Sequence, residues 1–209
     1  MYSFLSIANY IRSMSRPLTI GITGGIGSGK TTITKLFAKL NVPVYMADER
    51  AKWLMHNDRS IINKVNELFS PMAYVNGELN RPHIAAMAFT DKSLIQKLNE
   101  IVHPAVFDDF HNWVAIQQTP YIIKEAALLF ESGSYLELDA IISVGAPLET
   151  RIERTIKRDG MSRDAVLNRI KNQMPDEVKC SAADYVITNN GTTPLLPQVL
   201  QLHQLWKNG

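Results

Sequence analysis

Thr23-Gly24-Gly25-Ile26-Gly27-Ser28-Gly29-Lys30-Thr31-Thr32 decides how this chain is read. From Gly24 to Thr31 it fits Gly-x-x-x-x-Gly-Lys-Ser/Thr, the pattern of a phosphate-binding loop. Glycines admit backbone conformations that a Cβ would block. Successive amides can then turn inward and wrap the β- and γ-phosphates of a nucleotide. In such a loop Lys30 puts a point charge on the phosphate oxygens and the Thr31 hydroxyl holds Mg²⁺. Upstream, Leu18-Thr19-Ile20-Gly21-Ile22-Thr23 is a short β-branched run that reads as a buried strand. Downstream, Ile33, Leu36, Phe37 and Leu40 recur at helical spacing. Strand, glycine loop and helix in that order suit the chemistry, because a helix N-terminus itself attracts anions.

The chain has 209 residues, enough for one good core with an appendage. Its net charge of +2 gives no general pull on nucleic acid or an anionic membrane. Cys180 is the only cysteine, which excludes an intrachain disulfide and a cysteine-based zinc site and fits a reducing cytosol. No apolar run approaches the roughly 20 residues of a membrane span. His56, His83, His103, His111 and His203 show no paired metal-ligand spacing. Residues 1–17 read as a dispensable, frayed tail: Arg12 and Arg16 follow its apolar part, unlike a signal peptide, and Met14 is an alternative start.

Further along, Val42–Met46 reads as a second strand, with Asp48 just past its end and a helix from Glu49 to His56. There Asp48 is either a helix N-cap or a carboxylate that takes a hydroxyl proton, since ligands of open α/β sheets sit at the carboxyl ends of strands. Ile61–Phe69 is a helix, 71–82 a loop turning at Asn76-Gly77, and 81–89 a short helix. Ser93–Gln117 is a long helix that Pro104 should kink or break near His103. Tyr121–Glu125 is the third strand, its Glu125 either an orienter of Mg²⁺ or a solvated strand end. Asp139–Val144 is the fourth strand, 182–188 the fifth, and Pro194–Trp206 a closing helix.

Arg151 to Gln173 is the most basic stretch. Two helices joined at Gly160, presenting Arg154 and Arg158 on one and Arg169 on the other, describe a lid that brings guanidinium groups onto phosphates. The Asn189-Asn190-Gly191 turn supplies amides for an adenine edge, or is simply a turn that tolerates left-handed backbone.

The loop together with Ala47-Asp48, His103-Pro104, Leu128-Leu129-Phe130-Glu131, Lys157-Arg158-Asp159-Gly160, Arg169 with Gln173, and Ala183–Ile187 followed by Asn189 resembles the dephospho-coenzyme A kinases. The resemblance runs from about Leu18 to the C-terminus. It implies an α/β fold of the P-loop NTPase and kinase type: three layers around a five-stranded parallel sheet, a helical substrate-binding insertion and a helical lid. The implied boundaries are a single domain over 18–209, with core 18–57, 118–150 and 182–209, insertion 58–117 and lid 151–181.

It further implies ATP-dependent phosphorylation of the ribose 3′-hydroxyl of dephospho-CoA, with Mg²⁺, in the cytoplasm. Asp48, Lys30 and Arg158 match catalytic positions. Gly25, Gly27, Ser28, Gly29, Lys30, Thr31, Thr32, Arg158, Arg169 and Asn189 match ATP-binding positions, Thr31 being the metal contact. Asp48, His103 and Leu128 are assigned to the acceptor, although His103 also reads as a buried histidine at a helix kink. Two departures stand out: Met46 where many members carry a first aspartate, and Glu125-Ala126-Ala127 where many read Asp-Val-Pro.

The expected partner is a small molecule, with neither nucleic acid nor membrane, and the expected state a monomer or weak homo-oligomer. A kinase of a nucleoside monophosphate or sugar acid is the nearest alternative. A guanine-nucleotide switch is disfavoured, because Asn63-Lys64 continues as Val65-Asn66 and no Asp-x-x-Gly occurs.

Overall fold

The five strands lie side by side in the order β2-β5-β1-β6-β7, all parallel, in a computed structural model that describes residues 16–208. They are β1 Leu18–Thr23, β2 Val44–Met46, β5 Tyr121–Glu125, β6 Ala140–Gly145 and β7 Tyr185–Thr188. Central β1 pairs with β5 through Leu18↔Tyr121 to Ile22↔Glu125, and with β6 through Ile20↔Ala140 to Thr23↔Ser143. Strands covered on both faces become apolar throughout, which is why β5 and β6 carry Ile122-Ile123 and Ile141-Ile142.

On one face, Ile20, Ile22, Ile123, Ile142, Val144 and Ile187 pack with Ile33 and Phe37 of α1 (Lys30–Lys39) and with Val199, Leu202 and Trp206 of α9 (Leu195–Trp206). Each such side chain contributes about 1.5–3 kcal/mol by burial. On the other face a Cβ at Gly21 would strike Leu129 and Leu138, while Ser143 meets Cys180 of α8 (Asp176–Ala182). Helix, sheet and helix make three layers. Buried Lys124 of β5 is paired with Glu137, which keeps its charge tolerable.

The chain divides into two compact units, Met1–Met46 with Val114–Gly209, and Ala47–Trp113. The second unit starts at Ala47 and so includes α2 (Ala47–Asn57), a helix that the expected boundaries placed with the core. Its core joins Leu54, Ile61, Val65, Phe69, Ile84 and Leu94, drawn from α2, α3 (Arg59–Phe69), α4 (Arg81–Thr90) and α5 (Ser93–Ala115), with Ala73 of the short turn Pro71–Ala73. Asp58 caps α3 by accepting from the Ser60 and Ile61 amides at 2.8 and 3.2 Å.

Several expectations change. The 71–82 loop contains a two-stranded hairpin, β3 Tyr74–Val75 and β4 Glu78–Leu79, turning on Asn76 and Gly77 with φ of 52° and 82°. Strand β2 starts at Val44 rather than Val42. Helix α5 runs unbroken through Pro104, its buried Leu94, Val102 and Phe110 lying on both sides of the proline. A missing helical hydrogen bond is outweighed by that packing. His103 is exposed rather than buried at a kink. Helix α8 was not anticipated.

Of the expected tail, residues 1–15 lie outside the described residues, but Arg16 is held: both terminal guanidinium nitrogens donate to Asp139, at 3.0 and 3.1 Å. Asp139 also accepts from the Thr19 amide and hydroxyl, at 2.9 and 3.0 Å. Burial raises its pKa, but the Thr19 amide, Arg16 and the Thr19 hydroxyl outweigh this and hold the carboxyl below the usual carboxylate range. A folded-state pKa below the unfolded value of about 3.9 gives stability that is present above that value and lost as pH falls through the folded pKa. Asp139→Asn is expected to cost about 1–3 kcal/mol at neutral pH, in urea denaturation, and the gap to the parent should close below about pH 4.

Candidate active site

Strand β1 ends at Thr23 and the chain enters the loop that Gly24 to Gly29 form before α1. The loop is tight: the Ser28 amide donates to the Gly25 carbonyl at 3.1 Å. Gly29 has φ of 98°, and a Cβ there would sit 2.2 Å from the Asn189 side-chain nitrogen, so both conformation and space demand glycine. Helix α1 starts at Lys30 with no side-chain cap and no acid in its first turn, leaving its positive end uncompensated by protein. The half-buried Lys30 ammonium folds back and donates to the carbonyls of Gly24 and Gly25 at 2.8 and 3.3 Å. Thr31 and Thr32 are exposed in that first turn, whereas Ser28 is buried.

Asn189 has a role that the sequence left open. It is 8% exposed, and its side-chain amide donates to the Ser28 carbonyl at 2.7 Å. Arg154 of α6 (Leu148–Asp159) donates to the Asn189 side-chain oxygen at 3.2 Å and to its carbonyl at 3.1 Å. Both ends of this amide are engaged by protein, so Asn189 braces the loop from beneath. The turn is made instead by Asn190, whose Oδ1 accepts from the Thr192 and Thr193 amides at 3.1 and 2.8 Å.

Glu125 ends β5 opposite Ile22 and is 7% exposed, so it is not the solvated strand end of the alternative reading. Leu128 follows on the surface of the next loop, which is anchored from below by Lys179. That lysine, 0% exposed on α8, donates to the Ala127 carbonyl at 2.8 Å and pairs with Glu131 at 2.9 Å. Burial raises the pKa of Glu131, but Lys179 and the Met174 amide lower it more, so it stays ionised.

The basic stretch divides into two sets. Arg151 is buried beside Asp176 and Arg154 serves Asn189, so neither belongs to a solvated lid face. Arg158 and Arg169 are exposed, on α6 and α7 (Arg163–Lys171), with the Gly160 C-cap at φ of 66° between the helices. Arg158 grips Asp159 through two hydrogen bonds of 2.7 and 2.9 Å. These bonds, with the nearby charge of Arg169, hold the Asp159 carboxyl below its usual range. Of the two exposed arginines, Arg158 holds this carboxylate directly.

Asp48 and His103 belong to the insertion unit. Asp48 is exposed as the second residue of α2, inside its first turn rather than at an N-cap. The same turn is fixed within its unit by Arg50, which donates to Asp109 of α5 at 2.9 Å and lies 4.4 Å over Trp53. Among the described residues no cluster of three His, Cys, Asp or Glu side chains could hold a metal, and no helix is long and apolar enough to cross a membrane.

The arrangement is an anion nest at a helix N-terminus with a buried carboxylate at the end of the neighbouring strand, in a chain that also carries two exposed arginines on a glycine-linked helix pair. A family model described as CoaE, dephospho-CoA kinase, matches residues 18–194. A dephospho-CoA kinase from Bacteroides fragilis is 40% identical over 186 residues, spanning 88% of this chain and 91% of that protein. One from Porphyromonas gingivalis is 37% identical over 186 residues, with 88% and 92% covered. A crystal structure from Thermus thermophilus superposes with a TM-score of 0.82 at 35% identity, covering 91% of this chain and 97% of that one. Loop, sheet order and match over most of the length agree, and the chain belongs to the dephospho-CoA kinase family.

Proposed function

We propose that the chain transfers the γ-phosphoryl group of ATP to the ribose 3′-hydroxyl of dephospho-CoA, yielding coenzyme A and ADP. The observation that carries this reading is the amide nest at the end of β1, in a chain that matches the dephospho-CoA kinase family over residues 18–194. The amides of Gly27 to Thr31 wrap the phosphates, and Lys30 leaves the loop carbonyls to hold the β- and γ-oxygens. Arg158 releases Asp159 and, with Arg169, neutralises charge that grows as the phosphoryl group moves. Asp48 orients the acceptor hydroxyl and takes its proton, with His103 and Leu128 beside the acceptor. Positioning and electrostatics carry most of the acceleration.

The oxygen donors suit Mg²⁺, which takes one or two protein oxygens and completes its shell with phosphates and water. The Thr31 hydroxyl is exposed in the first turn of α1, and the Glu125 carboxylate closes the neighbouring strand. Bound there, the ion would neutralise phosphate charge. We assign the reaction to the cytosol as a monomer or weak homo-oligomer; ATP supply and a single thiol support that setting.

The test is direct. Purified protein with ATP, Mg²⁺ and dephospho-CoA should yield a product of coenzyme A mass, while AMP and gluconate as acceptors should yield almost none. Preferred phosphorylation of AMP or gluconate would replace this reading with the alternative kinase.

A further inference from the structure

The outer edge of the nucleotide loop is held by side chains outside the set assigned to ATP. The Gly25 amide donates to the Asp176 carboxylate at 2.8 Å, and the Ile26 amide donates to the Gln173 side-chain oxygen at 2.9 Å. Asp176 is buried and faces the buried Arg151 guanidinium at 3.5 Å, so its charge is compensated on the spot. The fit is close: a Cβ on Gly25 would lie 2.1 Å from the Arg151 guanidinium and 2.6 Å from Asp176. The segment holding these acceptors is itself anchored, since the Met174 amide donates to Glu131 at 2.9 Å and Lys179 pairs with the same carboxylate.

We propose that Gln173 and Asp176 are positioning residues for the nucleotide loop, fixing the Gly25 and Ile26 amides outward so that the amides from Gly27 to Thr31 are left to converge on phosphate. The bonds are directional, and each amide they engage is turned away from the nest. An amide released from its acceptor lets the loop sample shapes in which the nest is not formed, and ATP must then restore it at a cost in affinity. Gln173 lies two residues beyond α7, which carries Arg169, so the same contact ties loop shape to the root of the lid. The inference rests on the loop binding ATP and is independent of the acceptor.

The test measures binding of a non-hydrolysable ATP analogue to Gln173→Met, which keeps the length of the side chain but lacks the carbonyl acceptor, and to Gln173→Glu, which keeps an acceptor oxygen. Gln173→Met should weaken the analogue about five- to tenfold, the equivalent of one lost hydrogen bond, with KM for dephospho-CoA within about twofold of the parent. Gln173→Glu should bind closer to the parent than Gln173→Met does. Asp176→Asn, which keeps an oxygen toward Gly25, should likewise bind better than Asp176→Ala. Gln173 is only half-buried, so its variants report even if Asp176→Ala fails to fold. Folded Gln173→Met with analogue affinity within about twofold of the parent would overturn the proposal, as would a lowered melting temperature with affinity unchanged. A chain that binds the analogue but leaves dephospho-CoA untouched would refute the proposed reaction and leave this inference standing.

Discussion

Lys30→Met is expected to lower kcat/KM for ATP by about two to three orders of magnitude while the protein stays folded. The substitution keeps the stem that roots α1 and removes only the ammonium. That ammonium now bridges the carbonyls of Gly24 and Gly25, so it already sits over the mouth of the nest. Moving it from two neutral carbonyls to phosphate oxygens exchanges neutral acceptors for charged ones, and charge-assisted hydrogen bonds are roughly twice as strong. The gain is largest where charge develops, in the transition state. Steady-state kinetics with equilibrium ATP binding would separate the two stages: most of the loss should fall on kcat. A variant with near-parent kcat/KM would remove Lys30 from the phosphoryl-transfer machinery.

The second large effect is expected at Asp48. Asp48→Ala should reduce kcat by about two to four orders of magnitude, the usual range for a general base, with ATP affinity unchanged. The residue follows Met46 by two positions, and Met46 pairs with Glu125 at the carboxyl end of the sheet. A carboxylate in the first turn of a helix also gains about 0.3–1 kcal/mol from the helix dipole, so the melting temperature should fall only slightly. Asp48→Asn keeps shape and hydrogen-bonding capacity but not basicity, and should be nearly as slow as the alanine variant. Turnover close to the parent in either variant would assign proton removal to another group.

How much of this was legible depended on which force shaped each stretch. The strands of the sheet announced themselves because burial on both faces enforces runs such as Ile122-Ile123 and Ile141-Ile142. The loop announced itself because glycine at fixed spacing has few other uses. Val42 misled the reading of β2: it is apolar because it packs in the core, not because it joins a ladder. The hairpin at Asn76-Gly77 was visible only as a turn, since two-residue strands carry no periodicity.

Charged residues were the hardest to interpret. Lys179 and Asp176 drew no reading in sequence, yet both are buried, each answering a partner far along the chain. Arg151 lay in a basic run, and its one signal was its place beside Ile152 on the buried side of α6. Asn189 was read as an amide for a base edge or a plain turn residue, and its side chain is engaged by Ser28 and Arg154. Partners distant in sequence leave no local trace, and here they account for most of what pattern reading missed.

The position of β1 at the centre of the sheet also sets an order of events during synthesis. Its two neighbours begin at Tyr121 and Ala140, so the ribosome delivers the entire insertion before either flank of β1 exists. The emerging N-terminal strand waits unpaired, and non-local parallel pairing of this kind is intrinsically slow. Nascent chains halted before β6 should therefore have no grip on nucleotide, and the apolar Ile20 and Ile22 of the waiting strand are where a chaperone would be needed.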